Sequence, residues 1–205
     1  KTDGYYYNVT KDKREGRYET LTGGATARFT PSESIDAQLT YQHTRERGET
    51  IVAPLSETGR DSICAEPGVS GFSPLVECNR WSLPHRGLYQ TFTEIATPVR
   101  NDVDSVTGNI DFFLNDVITL TSVTGYMKSR ESVVQDFDAS SVNFFDTKRD
   151  QDYEQFSQEI RLLADLDRLN FLLGGYYFSS NYQLNQYTNF GTVLGQGDTA
   201  VLHQY

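Results

Sequence analysis

Apolar and polar residues alternate with a period of two along much of this chain. In the run from Tyr18 to Phe29, Leu21 and Ala25 fall on one side and the threonines fall on the other. A turn around Pro31 follows, and the run from Ile35 to Gln42 restarts the alternation. A period of two sends successive side chains to opposite faces of a β-strand. The two runs therefore predict a hairpin in which each strand has one apolar and one polar face.

The alternation stops between about 48 and 101, where Gly, Pro, Ser and charged residues dominate, and it resumes at Val103. Val106, Ile110 and Phe112 then face one way, with polar residues between them. A tight turn at Asn115 leads into a run rich in β-branched residues, which favour strands. A polar, acidic loop is predicted from about 136 to 152.

The segment from Gln155 to Leu163 fits two periods. As a helix it places Phe156, Ile160 and Leu163 on one face, and as a strand it places Phe156, Ile160 and Leu162 on one side. A short polar turn follows it, and then LNFLLGGYYF, where paired glycines and clustered aromatic residues disfavour a helix. We therefore favour a strand, a tight turn and a second strand.

Seven strands are predicted in all, and a further run beginning at 199 starts an eighth. They lie near 1–8, 17–29, 35–46, 103–114, 117–135, 151–163 and 169–184. Connections between them alternate between short and long, as they do between the two unequal rims of a transmembrane β-barrel. The predicted fold is all-β, with antiparallel up-and-down strands forming part of a large barrel that has short periplasmic turns and long extracellular loops. The loop at about 48–101 is the longest, and so long a loop argues against a compact soluble domain.

Composition agrees with a β-rich architecture. The 205 residues include 13 Tyr and 12 Phe but only one Met and one Trp. No window reaches the 18 or more consecutive apolar residues of a membrane-spanning helix, whereas a barrel strand crosses with about 9 to 11 alternating residues. The net charge of −10 argues against binding to nucleic acid, which requires a basic surface.

Two cysteines, Cys64 and Cys78, lie in the long central loop. We expect a disulfide between them, which would contribute about 3 kcal/mol in the chain-entropy model and would persist only in an oxidising compartment. Two unpaired thiols are the alternative, because pairing cannot be read from spacing alone.

The same loop mixes guanidinium and aromatic groups. This combination suits an anionic or aromatic ligand such as a ferric chelate, held by charge-assisted hydrogen bonds and cation–π contacts. The alternative is a solvated loop packed down by its tryptophan. The candidate ligand-binding residues are Arg60, Arg80, Trp81, His85, Arg86 and Tyr89.

No catalytic arrangement is found, and we predict neither enzymatic activity nor a cofactor. The histidines His43, His85 and His203 are far apart, and no serine occupies a Gly-x-Ser-x-Gly turn. Aspartates cluster between Asp136 and Asp152 without the EF-hand arrangement, so we interpret them as part of a solvated loop and predict no metal site.

Several runs resemble strands of one known family. LTSVTGYMKSRE from Leu120, DYEQFSQEIRLL from Asp152 and LNFLLGGYYF from Leu169 resemble three consecutive barrel strands of TonB-dependent outer-membrane receptors of Gram-negative bacteria. DGYYYN from Asp3 and ARFTPSESIDAQLTYQ from Ala27 are similar to earlier strands of the same barrel. Such barrels have about 22 strands around a plugged lumen. The chain would therefore be a segment of a receptor, without the plug domain.

The resemblance implies uptake of a scarce ligand, most often a ferric siderophore and sometimes a corrinoid, haem or saccharide. It implies outer-membrane lipid as a partner, and the TonB–ExbB–ExbD energising complex acting through the plug region. The residues expected to face lipid are Leu39, Ile110, Phe112, Phe156 and Ile160, and those expected to face the plug or water include Gln38, Gln42, Glu159 and Arg161. The alternatives are a passive porin-like barrel and a soluble, secreted β-sandwich or adhesin module.

Overall fold

The computed structural model describes residues 1–50, 89–137 and 145–189, together with the backbone of 199–204. These residues form strands joined by turns, and no helix occurs among them. The strands are β1 (Tyr6–Asn8), β2 (Lys13–Glu15), β3 (Tyr18–Ser32), β4 (Ile35–Glu49), β5 (Gln90–Thr91), β6 (Pro98–Asn115), β7 (Ile118–Asp136), β8 (Asp146–Leu166), β9 (Leu169–Asn189) and β10 (Thr199–Gln204).

Seven of these strands form one sheet in the order β10-β9-β8-β7-β6-β4-β3. Every neighbouring pair in this large sheet is antiparallel. The order follows the sequence, apart from β5, which belongs to another sheet. This is the predicted all-β, up-and-down arrangement.

The segment with two possible periods is a strand. Gln155 pairs with Met127 and Leu163 with Thr119 on the β7 side, and the other edge of β8 pairs with β9 along its whole length. Two hydrogen-bonded neighbours commit the backbone of this segment to the sheet, so the helix interpretation is excluded.

The two ends of the large sheet differ. At one end, here called the short-turn rim, β3–β4, β6–β7 and β8–β9 are joined by two-residue turns. Asn115 tightens one of them, because its side-chain oxygen accepts hydrogen bonds from the backbone N–H of Val117 at 3.0 Å and of Ile118 at 2.9 Å. The other end, the long-loop rim, carries the longer connections.

The expected strand near 1–8 is wrong as a member of the large sheet. Tyr6–Asn8 pairs antiparallel with Lys13–Glu15 and parallel with Gln90–Thr91. These three short strands form a separate cap sheet (β1, β2 and β5). Positive φ at Gly4, Asp12 and Gly16 lets the chain turn tightly enough to form it.

The acidic loop predicted from 136 to 152 is shorter than expected. β7 continues to Asp136 and β8 begins at Asp146, so Asp150 and Asp152 lie within a strand. Asp150 accepts a hydrogen bond from the Ser132 hydroxyl, and Asp152 forms an ion pair with Arg130. These cross-strand contacts explain why a polar run is part of a strand here.

Over the described ranges the large sheet is a single layer. Only Phe92, Val133 and Ala164 are buried apolar side chains there. Most of its exposed large apolar side chains lie on one face, so the surface that stabilises them must come from outside the described residues.

Candidate lipid-facing and lumen-facing surfaces

Cross-strand register gathers most of the large apolar residues of the long strands on one side of the large sheet. In one row, Ala37 lies opposite Ile110, Ile110 opposite Ser122, and Ser122 opposite Ile160. We call this side the apolar face. Its apolar residues include Ile35, Ala37, Leu39, Tyr41, Val106, Ile110, Phe112, Leu120, Tyr126, Phe156, Ile160, Leu162, Phe171, Leu173 and Tyr177.

The five residues predicted to face lipid all lie on the apolar face. Leu39 is 55% exposed, Ile160 50% and Phe156 39%, which shows that no other described element covers them. Their contact with lipid stays a prediction, whereas their placement together is a property of the structure.

Aromatic side chains mark the edge of this apolar region that lies nearer the long-loop rim; we call it the aromatic edge. Tyr41 and Tyr126 flank Val106 in one cross-strand row, and Phe156 lies opposite Tyr126 in the same row. The ring of Tyr177 on β9 lies with its centroid 6.3 Å from that of Phe156. Bands of this kind occur where barrel strands cross from hydrocarbon to headgroups.

Beyond the aromatic edge, toward the long-loop rim, the same face becomes charged. Asp104 accepts hydrogen bonds from the Tyr41 hydroxyl at 2.7 Å and interacts with His43 at 2.8 Å. Lys128 forms an ion pair with Glu154 in the adjacent pair of strands. We call this region the charged band, and its members are His43, Arg45, Arg47, Arg100, Asp102, Asp104, Lys128, Arg130, Lys148, Asp150, Asp152 and Glu154.

The opposite side of the large sheet is polar. Hydroxyl groups pair across β3 and β4, with Thr22 and Thr44 3.1 Å apart and Thr26 and Thr40 3.0 Å apart. Arg161 donates two hydrogen bonds to Glu159, at 2.6 and 2.7 Å. This polar face carries all four residues expected to face the plug or water, namely Gln38, Gln42, Glu159 and Arg161.

Exposed apolar side chains also occur on the polar face, at Phe113 in β6 and Leu163 in β8, and they cluster in β9. β9 places Leu172, Tyr176 and Phe178 on the polar face, where they are 65%, 64% and 47% exposed. β9 is therefore apolar on both sides along part of its length, and its polar-face side also needs a covering surface.

The paired glycines differ from each other in the space around them. A Cβ on Gly24 would lie 2.7 Å from the Tyr41 carbonyl oxygen, whereas a Cβ on Gly23 would meet nothing within 4 Å. In the second pair, a Cβ on Gly174 would lie 3.1 Å from the Ile160 carbonyl oxygen, and one on Gly175 would meet nothing. One glycine of each pair therefore relieves crowding against the neighbouring strand.

The cap sheet lies at the long-loop rim. The backbone N–H of Gly16 donates to Glu49 at the end of β4 at 3.0 Å, and the Thr50 hydroxyl donates to the carbonyl oxygen of Val134 in β7 at 2.8 Å. These contacts hold the turn before β3 and the start of the central connection against the large sheet.

A buried polar cluster fastens the cap sheet. The fully buried Asn8 amide donates to Glu15 at 2.8 Å and to the Thr93 carbonyl oxygen at 2.8 Å. Lys11 lies 2.5 Å from the Glu15 carboxylate, and the Thr91 hydroxyl donates to that carboxylate at 3.1 Å. Burial alone raises the pKa of Glu15, but the hydrogen bonds from Lys11, Asn8 and Thr91 outweigh it and hold the pKa below its ordinary value of 4.5.

Sequence reasoning missed this cluster. Asn8 and Thr93 are 85 residues apart, and neither lies in a periodic run. Gly16, which adopts positive φ in the structure, is a local sign of a turn, but a glycine does not identify a distant partner.

Most residues predicted for the ligand and the disulfide lie outside the described residues. These are Arg60, Cys64, Cys78, Arg80, Trp81, His85 and Arg86. Tyr89 is described: its carbonyl oxygen accepts a hydrogen bond from the Tyr7 N–H at 2.8 Å, and its ring lies 6.0 Å from that of Tyr6. Its side chain is 65% exposed at the edge of the cap sheet.

The described residues contain neither a metal-binding cluster nor a membrane-spanning helix. No cluster of three or more His, Cys, Asp or Glu residues with metal-binding geometry occurs in the described ranges. None of the described segments contains a helix long and apolar enough to cross a membrane.

Comparison with solved structures gives a match to a transport receptor. The chain is similar in fold to the ferric yersiniabactin uptake receptor FyuA from Yersinia pestis. The TM-score is 0.64 at 14% sequence identity, and the match covers 92% of this chain. It covers 26% of the receptor, so the chain spans about a quarter of that protein's length. No protein-family model and no curated protein sequence matches the chain. The similarity establishes the fold, which is that of a segment of a β-barrel.

Proposed function

We propose that this chain is a wall segment of a TonB-dependent outer-membrane receptor that imports a scarce ligand of the ferric siderophore class. The observation that carries the proposal is the apolar face with its aromatic edge, backed by a polar face in a sheet with one short-turn rim and one long-loop rim.

The physical requirements of a bilayer support a barrel. Backbone N–H and C=O groups in hydrocarbon need partners, so a membrane-spanning sheet must close on itself. Within the described residues, β3 and β10 are the two edges of the large sheet. Further strands from the same barrel would pair with these edges, in keeping with a match to about a quarter of a receptor.

Tyr176 and Phe178 favour a plugged receptor over a passive porin. Both lie on the polar face, which would line the lumen, and both are more than 45% exposed there. A porin lumen is filled with water and lined by polar residues. An aromatic surface facing the lumen is instead stabilised by contact with a folded domain inside the barrel.

A soluble β-sandwich is less well supported. Its inner faces would pack against each other at a spacing of about 10 Å and would bury their apolar residues. Leu39, Ile160 and Leu173 are 55%, 50% and 67% exposed. Their alignment with an aromatic edge and a charged band fits lipid better than a second sheet.

The ligand would be recognised at the long-loop rim. We propose that Arg60, Arg80, Trp81, His85, Arg86 and Tyr89 contact it through charge-assisted and cation–π interactions, and that Cys64 and Cys78 form a disulfide in the same connection. The similarity to a ferric yersiniabactin uptake receptor supports an iron chelate as the ligand class.

Growth of a deletion strain tests the proposal. A strain lacking the gene that encodes this chain is supplied with single iron sources, including ferric siderophores and haem, and separately with cobalamin or saccharides. We expect loss of growth or of labelled uptake on one source, with rescue by the intact gene. Unchanged uptake on every source would contradict a transport function.

A second strain separates energised uptake from passive diffusion. This strain keeps the intact gene but lacks the TonB protein, and we expect it to lose uptake as completely as the deletion strain does. If uptake persists without TonB, the barrel is a passive pore.

A further inference from the structure

An arginine-rich hollow lies on the apolar face at the long-loop end of β3, β4 and β6. Nine described residues line it, of which four are arginines and one is acidic. The arginines are Arg17, Arg45, Arg47 and Arg100, and the acid is Glu19. This local excess of positive charge contrasts with the net charge of −10 of the whole chain.

Cross-strand register brings two like charges together in this hollow. Arg47 on β4 lies directly opposite Arg100 on β6. Like charges in directly opposed positions destabilise an antiparallel pair. The arrangement is stabilised if an anion lies between the two guanidinium groups.

Arg47 is already engaged. Its guanidinium donates to both oxygens of Asp102, at 2.8 and 2.7 Å, and to the Asn101 carbonyl oxygen at 3.1 Å. In the part of the chain that the structure describes, Arg45 and Arg100 make no ion pair, and Glu19 pairs at 4.0 Å with Lys1. The two exposed arginines therefore keep donors available for a ligand.

The remainder of the charged band is neutralised. Lys128 pairs with Glu154, Arg130 with Asp152 at 3.7 Å, and Lys148 with Asp150 at 3.0 Å. The hollow is thus the part of the band where positive charge is left without an acidic partner.

We propose that Arg45 and Arg100, with Arg17 beside them, bind the phosphate group of a lipid headgroup in the leaflet that surrounds the apolar face. A planar guanidinium donates two parallel hydrogen bonds to phosphate oxygens, which makes arginine well suited to this anion. The proposal rests on the proposed function, because it requires the apolar face to contact a bilayer.

The position of the hollow favours a lipid phosphate over a free one. Arg45 follows Tyr41 by four residues on the same face of β4, which is about 13 Å along the strand. With a strand tilt of about 40°, the height above the aromatic edge is about 10 Å. Headgroups occupy the layer directly above the hydrocarbon, and a long arginine side chain extends toward it.

Native mass spectrometry of the intact barrel protein that contains this chain tests the site. The protein is purified in detergent and titrated with dilauroyl phosphatidic acid, with dilauroyl glycerol, which lacks the phosphate, and with inorganic phosphate. We expect retention of phosphatidic acid but not of dilauroyl glycerol. The double variant Arg45→Gln with Arg100→Gln should weaken that retention about tenfold or more, the equivalent of one charge-assisted hydrogen bond.

A matched variant controls for loss of charge. Arg130→Gln with Lys148→Gln removes two positive charges from the same face but from positions paired with acids. We expect this variant to retain phosphatidic acid as the wild type does. Equal retention by the wild type and the Arg45/Arg100 variant, or an equal loss in the control, would overturn the site.

Two outcomes separate this proposal from others. If inorganic phosphate displaces phosphatidic acid at equal concentration, the hollow is a free-phosphate site and the lipid assignment is wrong. Membrane insertion of the wild type is measured alongside by heat-modifiable migration. Failure of the wild type to insert would contradict the proposed function. Normal insertion of the wild type, with equal retention of phosphatidic acid by the wild type and the Arg45/Arg100 variant, would contradict the phosphate site alone.

Discussion

Tyr126 and Phe156 lie directly opposite each other across β7 and β8. The next pair on the same face toward the long-loop rim is Lys128 with Glu154, which form an ion pair. The surface thus changes from aromatic to charged within two residues of strand. That step marks the end, toward the long-loop rim, of the surface that we propose contacts acyl chains.

Ile110→Arg tests the lipid assignment. Ile110 lies near the middle of the apolar face, between Ala37 and Ser122. In a membrane barrel we expect the substitution to lower the free energy of unfolding by about 2 to 4 kcal/mol, because a guanidinium replaces an alkyl group in hydrocarbon. The measurement is chemical unfolding of the intact barrel protein in lipid vesicles.

Asn109→Arg is the control for this experiment. Asn109 precedes Ile110 and lies on the polar face. Its substitution should change the free energy of unfolding by no more than about 0.5 kcal/mol. Equal destabilisation by the two variants would show that the two faces do not have different surroundings.

Gly24→Ala and Gly23→Ala test the crowding argument within one dipeptide. The new Cβ at position 24 would lie 2.7 Å from the Tyr41 carbonyl oxygen, and that at position 23 would meet nothing within 4 Å. We expect Gly24→Ala to destabilise the barrel by about 1 to 3 kcal/mol through overpacking. Gly23→Ala should be neutral or slightly stabilising, and unfolding midpoints that shift equally would refute the assignment.

A polar group within the apolar face allows a double-mutant test. The Thr124 hydroxyl donates to the Gln158 side-chain oxygen at 2.6 Å, and the Gln158 amide donates to Ser122 at 3.0 Å. Thr124→Val removes the donor and should cost about 1 to 2 kcal/mol, because the amide oxygen stays in an apolar environment without it. Adding Gln158→Leu should recover part of that loss, as measured by the same unfolding assay. A purely additive double variant would indicate that the two side chains do not interact.

Glu15 gives the cap sheet a dependence on pH. Its folded pKa is lowered, so its contribution to stability is present above the ordinary value of 4.5 and is lost as the pH falls through the lower folded pKa. Hydrogen exchange of the Tyr7 and Val9 amides, which donate to the carbonyl oxygens of Tyr89 and Thr91, reports on the cap directly. We expect their opening to increase below about pH 4.5. In Glu15→Gln this acid-dependent increase should disappear, and an unchanged profile would contradict the assignment.

The sequence was sufficient for the long strands because their alternation carries two kinds of information. In β4, for example, the run from Ile35 to Gln42 predicts both the extended backbone and the face of each side chain. The same rule placed Ile110 and Phe156 on a common face, although they are not neighbours in the sequence.

The cap sheet could not be predicted in the same way. Its strands have two or three residues each, too few to show a period. Tyr5, Tyr6 and Tyr7 resembled the start of a barrel strand because aromatic residues favour strands of any kind. What removes this segment from the large sheet is the contact of Asn8 with Thr93, and long-range contacts leave no local trace.

The charged band shows a different limit. The sequence shows that each of its residues is polar or charged. Which charges attract or repel each other depends on the register between strands, which the sequence does not show. Arg47 meets Arg100 only because β4 and β6 pair with a specific offset across the long central connection. A shift of two residues would preserve both faces and change every charge contact.

The length of β8 has a mechanical consequence. From Phe156 back to Asp146 the strand continues for ten residues past the aromatic edge, about 33 Å of extended chain. In the membrane orientation that we propose, with a tilt of about 40°, Asp146 would then stand about 25 Å above the acyl chains. The proposed ligand would therefore meet this end of the barrel wall well before it reached the lipid surface.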